Sequence, residues 1–311
     1  MKLATFRPAA GAEPRVGVVV GSDLLDLSAA SGGKLPATML GLIEAGPAAW
    51  DAARALEKAA PAGPRTPLSK AKLLAPLPNP TALRDFFAFE DHARAGSKRR
   101  NEPFPEDWYS IPAYYKGNHR EIYGPEDTVP WPSYTRKLDF ECEIACVVGR
   151  KGRDLSPEDA AAHIFGYTVF NDLSARDIQK KEMVLRMGPA KGKDFANAFG
   201  PFLVTADSLD PKRDLTMTVR VNGEVWSSGA FGAQHWGFPL MVSHVSQGET
   251  VYPGDVFGSG TFHKGCGLDL DRWVKPGDVI ELDVPAIGVL RNTFGTPAAQ
   301  KELDYRKEAA K

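Results

Sequence analysis

Leu138-Asp139-Phe140-Glu141-Cys142-Glu143-Ile144-Ala145-Cys146-Val147-Val148-Gly149 changes character halfway along. From Ile144 onward it is apolar and rich in β-branched residues, the composition of a buried strand. In an extended chain the side chains at i and i+2 share a face, so Glu141 and Glu143 stand side by side. Phe140, Cys142 and Ile144 then take the opposite face, toward a core. Two adjacent carboxylates entering an apolar interior repel each other unless positive charge lies between them. A divalent cation meets that demand, and hard cations such as Mg²⁺ or Ca²⁺ prefer oxygen ligands. A solvated strand face with a basic residue beside each Glu would satisfy the same two residues. The choice falls to the rest of the chain.

Composition narrows the function classes. Lys and Arg number 38 against 39 Asp and Glu, a near-balance that points away from nucleic acid and other polyanionic partners. No apolar run approaches the ~20 residues that span a bilayer. The start, Met1-Lys2-Leu3-Ala4-Thr5-Phe6-Arg7, lacks a signal-peptide core and reads as a strand. Three cysteines, two of them on the Glu141/Glu143 strand, make neither a disulfide framework nor a zinc spacing; they read as core residues in a reducing cytoplasm. With 30 glycines and 25 prolines, the chain implies many turns and many short strands.

The elements divide the chain into a small N-terminal α/β unit, residues 1–71, and a mostly β unit, residues 72–311. In the first, Arg15–Val20 and Leu24–Leu27 flank the hairpin signal Gly21-Ser22-Asp23. Residues 38–60 read as helix interrupted at Gly46-Pro47, and 61–67 as a linker. In the second, Leu83–His92 reads as a strand leading into a short helix, and 103–132 as an aromatic loop of functional length. A helix over Glu158–His163 precedes the strand Ile164–Phe170, which ends at Asn171-Asp172. A helix over Leu173–Lys181 follows, putting Arg176 and Gln179 on one face. Asp172, where a strand stops, suits either a ligand carboxylate or a helix cap. Thr216–Val221, Asn222-Gly223 and Glu224–Trp226 spell a type I′ hairpin. Residues 301–311 read as a charged, frayed helix.

The chemistry-bearing candidates collect into acids (Asp85, Glu141, Glu143, Asp172), bases (Arg176, Lys193) and His92. Their settings, Leu138-Asp139-Phe140-Glu141-Cys142-Glu143, Asn171-Asp172-Leu173-Ser174-Ala175-Arg176-Asp177-Ile178-Gln179, Gly192-Lys193-Asp194-Phe195, Ser259-Gly260-Thr261 and Ile287-Gly288-Val289-Leu290-Arg291-Asn292, run in collinear order. Together they resemble the fumarylacetoacetate hydrolase family over roughly residues 72 to 295.

That resemblance implies an α+β, mostly β fold: a mixed β-sandwich roll with a small N-terminal α/β unit, usually dimeric. It implies one divalent cation per subunit, Mg²⁺ first, with Mn²⁺ or Ca²⁺ as alternatives. The family's metal carboxylates fall on Asp85, Glu141, Glu143 and Asp172. Its substrate and oxyanion positions fall on Arg176, Gln179 and Lys193, with Tyr115 and Thr261 contacting substrate. The catalytic histidine falls on His92.

Two departures shape the expected reaction. Small-substrate members pair the His with a Glu three residues on, where this chain has Ala95; the larger hydrolases take the partner from a later segment, where this chain has Leu268-Asp269-Leu270. Asp269 is therefore the expected partner of His92. Phe87 replaces a substrate-contacting Tyr, so fumarylacetoacetate itself is not the expected substrate. The reading is a hydrolase that cleaves a C–C bond in a 1,3-dicarbonyl (2,4-dioxo or acylpyruvate-type) acid with His-activated water, in aromatic or sugar acid catabolism. The alternative is a lyase-type reaction (decarboxylase, hydratase/dehydratase or isomerase) on a 2-oxo acid through a metal-bound enolate. Partners are a small dicarboxylic or 2-oxo acid and a second subunit, with no nucleic acid or membrane.

Overall fold

The structure, a computed structural model, describes residues 1–211, 213 and 215–309, the side chains of Lys307 and Glu308 excepted. Its centre is the strand Cys142–Val148, which is buried along its whole length. Alternation sends its side chains into two different cores. Cys142, Ile144, Cys146 and Val148 join one cluster; Ala145 and Val147 join another. Phe140 packs in the first cluster, as the alternation predicts.

Cys142–Val148 pairs antiparallel with Ile164–Asp172 on one side and Asp255–Gly258 on the other. Asp255–Gly258 lies parallel to Ala82–Phe86, which pairs with Tyr114–Lys116 at the edge. In the other direction the sheet continues through Asn197–Thr205 to Lys2–Arg7, Arg15–Val20, Asp23–Asp26 and Arg65–Pro67. A second sheet of Glu224–Ala230, Thr216–Val221, Val279–Val284, Gly288–Phe294 and Thr128–Val129 covers the first core with Met217, Val219, Ile280 and Leu282. The result is α+β and mostly β, a sandwich roll of mixed sheets.

The other face of the large sheet is covered by helices Met39–Glu44 and Pro47–Ala59, through Leu42, Ile43 and Trp50. Thr38 caps the first and Pro47 opens the second, so the expected break at Gly46-Pro47 is where it falls. The N-terminal strands extend the same sheet, with Leu3 opposite Leu203. Among the described residues no helix is long and apolar enough to cross a membrane.

Three local expectations are corrected. Residues 61–67 are not wholly linker: Arg65–Pro67 pairs with Asp23–Asp26 as an edge strand, whose end tolerates a proline without an N–H. The helix expected from Leu173 begins at Arg176, because Ser174–Ala175 pairs with Leu138–Asp139. The long stretch 103–132 contains a 3₁₀ turn and short strands, including Tyr114–Lys116. The Asn222-Gly223 turn has both φ values positive, 52° and 80°, as a type I′ turn requires. Residues 306–309 are helical within the expected tail, whose last two residues lie outside the described ones.

Phe170 and Phe199 stack across adjacent strands at 4.7 Å, both essentially buried beneath the N-terminal layer. Phe170→Ala is expected to cost about 3–5 kcal/mol, the range for emptying a buried aromatic site. Urea unfolding of the purified variant measures it.

Candidate active site

Glu143 and Asp172 lie on adjacent strands of the large sheet, Asp85 lies on the other side of Glu143 with one strand between, and Glu141 immediately precedes the Glu143 strand. Asp85 reaches the others because the intervening strand carries Gly258, which pairs with both Asp85 and Ala145. A Cβ at Gly258 would lie 2.3 Å from Asp85 Oδ1. One carboxylate oxygen from each of Asp85, Glu141, Glu143 and Asp172 falls within 4.8 Å of the others. All four residues are buried, Glu143 and Asp172 completely. The Gly260 N–H, in a turn of positive φ (74°), donates to Glu143 Oε2 at 2.8 Å and Asp85 Oδ1 at 3.2 Å.

Positive charge enters from one side. Lys193 Nζ donates to Glu141 Oε2 at 2.5 Å and also to Asp172 Oδ2. Arg176 donates through Nε to Asp139 at 2.7 Å, through one terminal nitrogen to Glu141 Oε1 at 2.9 Å, and through the other to Gln179 Oε1 at 3.0 Å. Burial pushes the Lys193 ammonium down, yet Asp172 and Glu141 together outweigh it and hold the group protonated above its ordinary range. Burial pushes Glu141 up, yet Arg176, Lys193 and His92 together hold it below the carboxylate range.

The other three acids lack that compensation. Burial raises Asp85, Glu143 and Asp172; for Glu143 the neighbouring carboxylates add to the rise, while for Asp172 Lys193 partly opposes it. Glu143 Oε1 is buried without a hydrogen-bond partner among the described residues. Five buried carboxyls, counting Asp139, thus face two buried cations. An all-oxygen donor set with excess negative charge and an orphaned oxygen fits a hard divalent cation.

At the rim, His92 sits in the first turn of the helix Glu90–Arg100. Its Nδ1 lies 2.7 Å from Asp269 Oδ2 and its Nε2 lies 4.0 Å from Glu141 Oε1. Asp269 also accepts from Arg99 at 2.6 Å and from the Lys264 N–H at 3.1 Å. Burial raises the Asp269 carboxyl, but His92, Lys264 and Arg99 hold it well below its usual range. Phe87 meets the His92 ring edge-on at 5.4 Å.

The structure therefore brings together the residues singled out in the sequence. Tyr115 donates its hydroxyl to Asp172 Oδ1 at 2.8 Å. Thr261 is turned inward, donating to the Cys142 carbonyl at 3.0 Å. Three participants were missed. Asp139, which anchors Arg176 and accepts from the Gly267 and Leu268 N–H groups, continues the i, i+2 series of Glu141 and Glu143 and was legible from it. Arg99 follows His92 by two helical turns, a spacing that places both on one face. Gly258 left no signal in the sequence, since only the strand order puts it against Asp85.

A sandwich that gathers four acids, a lysine and a histidine–aspartate pair in its interior is built as an enzyme site rather than a scaffold. The profile of the fumarylacetoacetate (FAA) hydrolase C-terminal domain matches residues 81–295. The chain is 33% identical over 298 residues to the mitochondrial oxaloacetate tautomerase FAHD2A of Homo sapiens, covering 94% of this chain and 91% of the relative. It is 34% identical over 232 residues to the oxaloacetate tautomerase YisK of Bacillus subtilis (strain 168), 73% of this chain and 74% of the relative. The solved fumarylacetoacetate hydrolase of Exiguobacterium antarcticum superposes with a TM-score of 0.75 at 28% identity, covering 95% of this chain and 99% of that one. The chain belongs to the fumarylacetoacetate hydrolase family.

Two outcomes are expected. Gly258→Ala displaces the Asp85 carboxylate, so calorimetric titration should show Mn²⁺ affinity reduced at least ~10-fold with the fold retained. Asp269 has a lowered carboxyl pKa in the folded state, so its contribution to stability is present above the unfolded value, ~3.9, and lost as pH falls through the folded one. Asp269→Asn should accordingly lower Tm at pH 7, with the gap to the parent narrowing only below about pH 4. Thermal melts across pH measure both limits.

Proposed function

We propose that the protein is a keto–enol tautomerase of a short 2-oxo dicarboxylic acid of the oxaloacetate class, moving one proton between the carbon beside the 2-oxo group and its oxygen. The observation that carries the reading is the His92–Asp269 pair: Nδ1 is held at 2.7 Å, and Nε2 faces the edge of the carboxylate cluster. Similarity to two oxaloacetate tautomerases, one over nearly the full chain, supports it. This favours the isomerase alternative over C–C hydrolysis.

Asp269 accepts a hydrogen bond from the Nδ1–H of neutral His92, which leaves the Nε2 lone pair free to act as base. Nε2 removes a proton from the methylene carbon, the C–H electron pair becomes the C=C bond, and the carbonyl pair moves onto oxygen. The imidazolium then gives that proton to the oxygen, so atoms and charge balance. Lys193 and Arg176 stabilise the negative charge that develops on oxygen. Phe87 walls one side of the imidazole with carbon, a setting suited to a base that works on a C–H bond. Asp85, Glu141, Glu143 and Asp172 are the residues that would hold a divalent cation, which supplies Lewis-acid polarisation of the substrate's oxygens.

The hydrolytic reading stands second, supported by the same dyad and by the likeness to a fumarylacetoacetate hydrolase. The proposal also includes one Mg²⁺, Mn²⁺ or Ca²⁺ per subunit, residues 72–311 as the catalytic domain, and a cytoplasmic homodimer.

The test follows decay of the enol absorbance of oxaloacetate with Mg²⁺ or Mn²⁺ present, alongside product analysis on acylpyruvates. Faster equilibration without CO₂ or two-acid products is expected; efficient cleavage of acylpyruvates with no tautomerisation would overturn the proposal. His92→Ala should keep bound metal and lose at least ~10² in turnover, the scale of general-base catalysis. Glu141→Ala should lose metal and turnover together.

A further inference from the structure

The His92–Asp269 corner holds more donors than a proton relay uses. Cys266 Sγ, a His92 ring nitrogen and an Asp269 carboxylate oxygen lie within 4.8 Å of one another. A fourth donor approaches from outside: His263 Nδ1 is 3.4 Å from Asp269 Oδ2 and has no hydrogen-bond partner among the described residues. His263, Cys266 and Asp269 recur at every third position of one turn-rich segment, from which Cys266 and Asp269 reach His92 and His263 reaches Asp269. Cys266 is fully buried, and the Asp269 side chain has no exposed surface. The His263 side chain is 39% exposed, which gives the cluster a route to solvent.

This donor set differs in kind from the neighbouring cage. The cage offers only oxygens, the preference of Mg²⁺, Mn²⁺ and Ca²⁺. The corner offers two imidazoles, a thiol and a carboxylate, the set that Zn²⁺ binds tetrahedrally. We propose that His92, Cys266, Asp269 and His263 form a second metal site that takes Zn²⁺ or a similar borderline-soft divalent ion and inhibits the enzyme when filled.

Binding would release the Cys266 thiol proton to solvent and separate His92 from Asp269. Arg99, 2.6 Å from Asp269 Oδ1, and the Lys264 N–H keep hold of the aspartate and compete with the ion, which suits a reversible site better than a permanent structural one. Occupation of the site depends on the geometry alone. Inhibition rests on the proposed role of His92 as base, and the two can fail separately.

The test loads the full-length protein with Mn²⁺, then titrates Co²⁺ and follows the near-ultraviolet absorption of a cobalt–thiolate bond, which oxygen ligands in the cage do not produce. A band saturating near one equivalent is expected, absent in Cys266→Ser and requiring at least ~10-fold more Co²⁺ in His263→Ala. Zn²⁺ should suppress turnover of the parent. In Cys266→Ser, turnover without zinc should be unchanged and the zinc needed for half-inhibition at least ~10-fold higher. No thiolate band in the folded parent, or an equal band in Cys266→Ser, overturns the site. A saturated band with undiminished turnover keeps the site and overturns its inhibitory role.

Discussion

Four carboxyls buried within reach of one another are the constraint around which this molecule is arranged. Like charges in a low-dielectric interior raise each other's pKa, and an unpaired buried carboxylate costs more than a single hydrogen bond returns. The fold answers with local donors where it has them. Lys193 bridges two of the acids, Arg176 ties Glu141 to Asp139, and the Gly260 N–H serves two more. These donors still leave Glu143 Oε1 without a partner. The shortfall is what makes the cluster a receptor for a cation rather than a set of internal ion pairs.

His92 and Asp269 meet at the rim of that cluster, with His92 Nε2 4.0 Å from Glu141 Oε1. His92 rides on a helix, and Asp269 comes from a short turn well over a hundred residues away, so their separation is set by how helix and loop pack. Arg99 contributes to this from the same helix, holding the far oxygen of Asp269 while His92 holds the near one. One helix therefore carries both His92 and the arginine that holds its partner Asp269.

Much of the site was legible because strand periodicity is strict. Glu141 and Glu143 share a face in any extended chain, and the apolar partners Phe140, Cys142 and Ile144 go to one core as that rule demands. The same rule applied two residues earlier reaches Asp139. Turn chemistry was equally direct at Asn222-Gly223 and at the Gly46-Pro47 break. The errors lay where tertiary pairing overrides local preference. Ser174–Ala175 has nothing against helix in its own sequence, and Arg65–Pro67 looks like linker, until a neighbouring strand supplies hydrogen-bond partners.

By itself, then, the sequence determined which residues carry charge into the interior, how they alternate along each strand and which motifs recur in order. These are properties of nearest neighbours and of period two. Tertiary structure alone decided that Gly258, on the strand between Asp85 and Glu143, leaves the gap through which Asp85 joins the cluster. It also decided that Thr261 faces the Cys142 carbonyl and that Cys266 and His263 stand beside the dyad. Strand order and loop packing bring together residues far apart in the chain, and no local rule encodes a contact whose partner arrives from elsewhere in the fold.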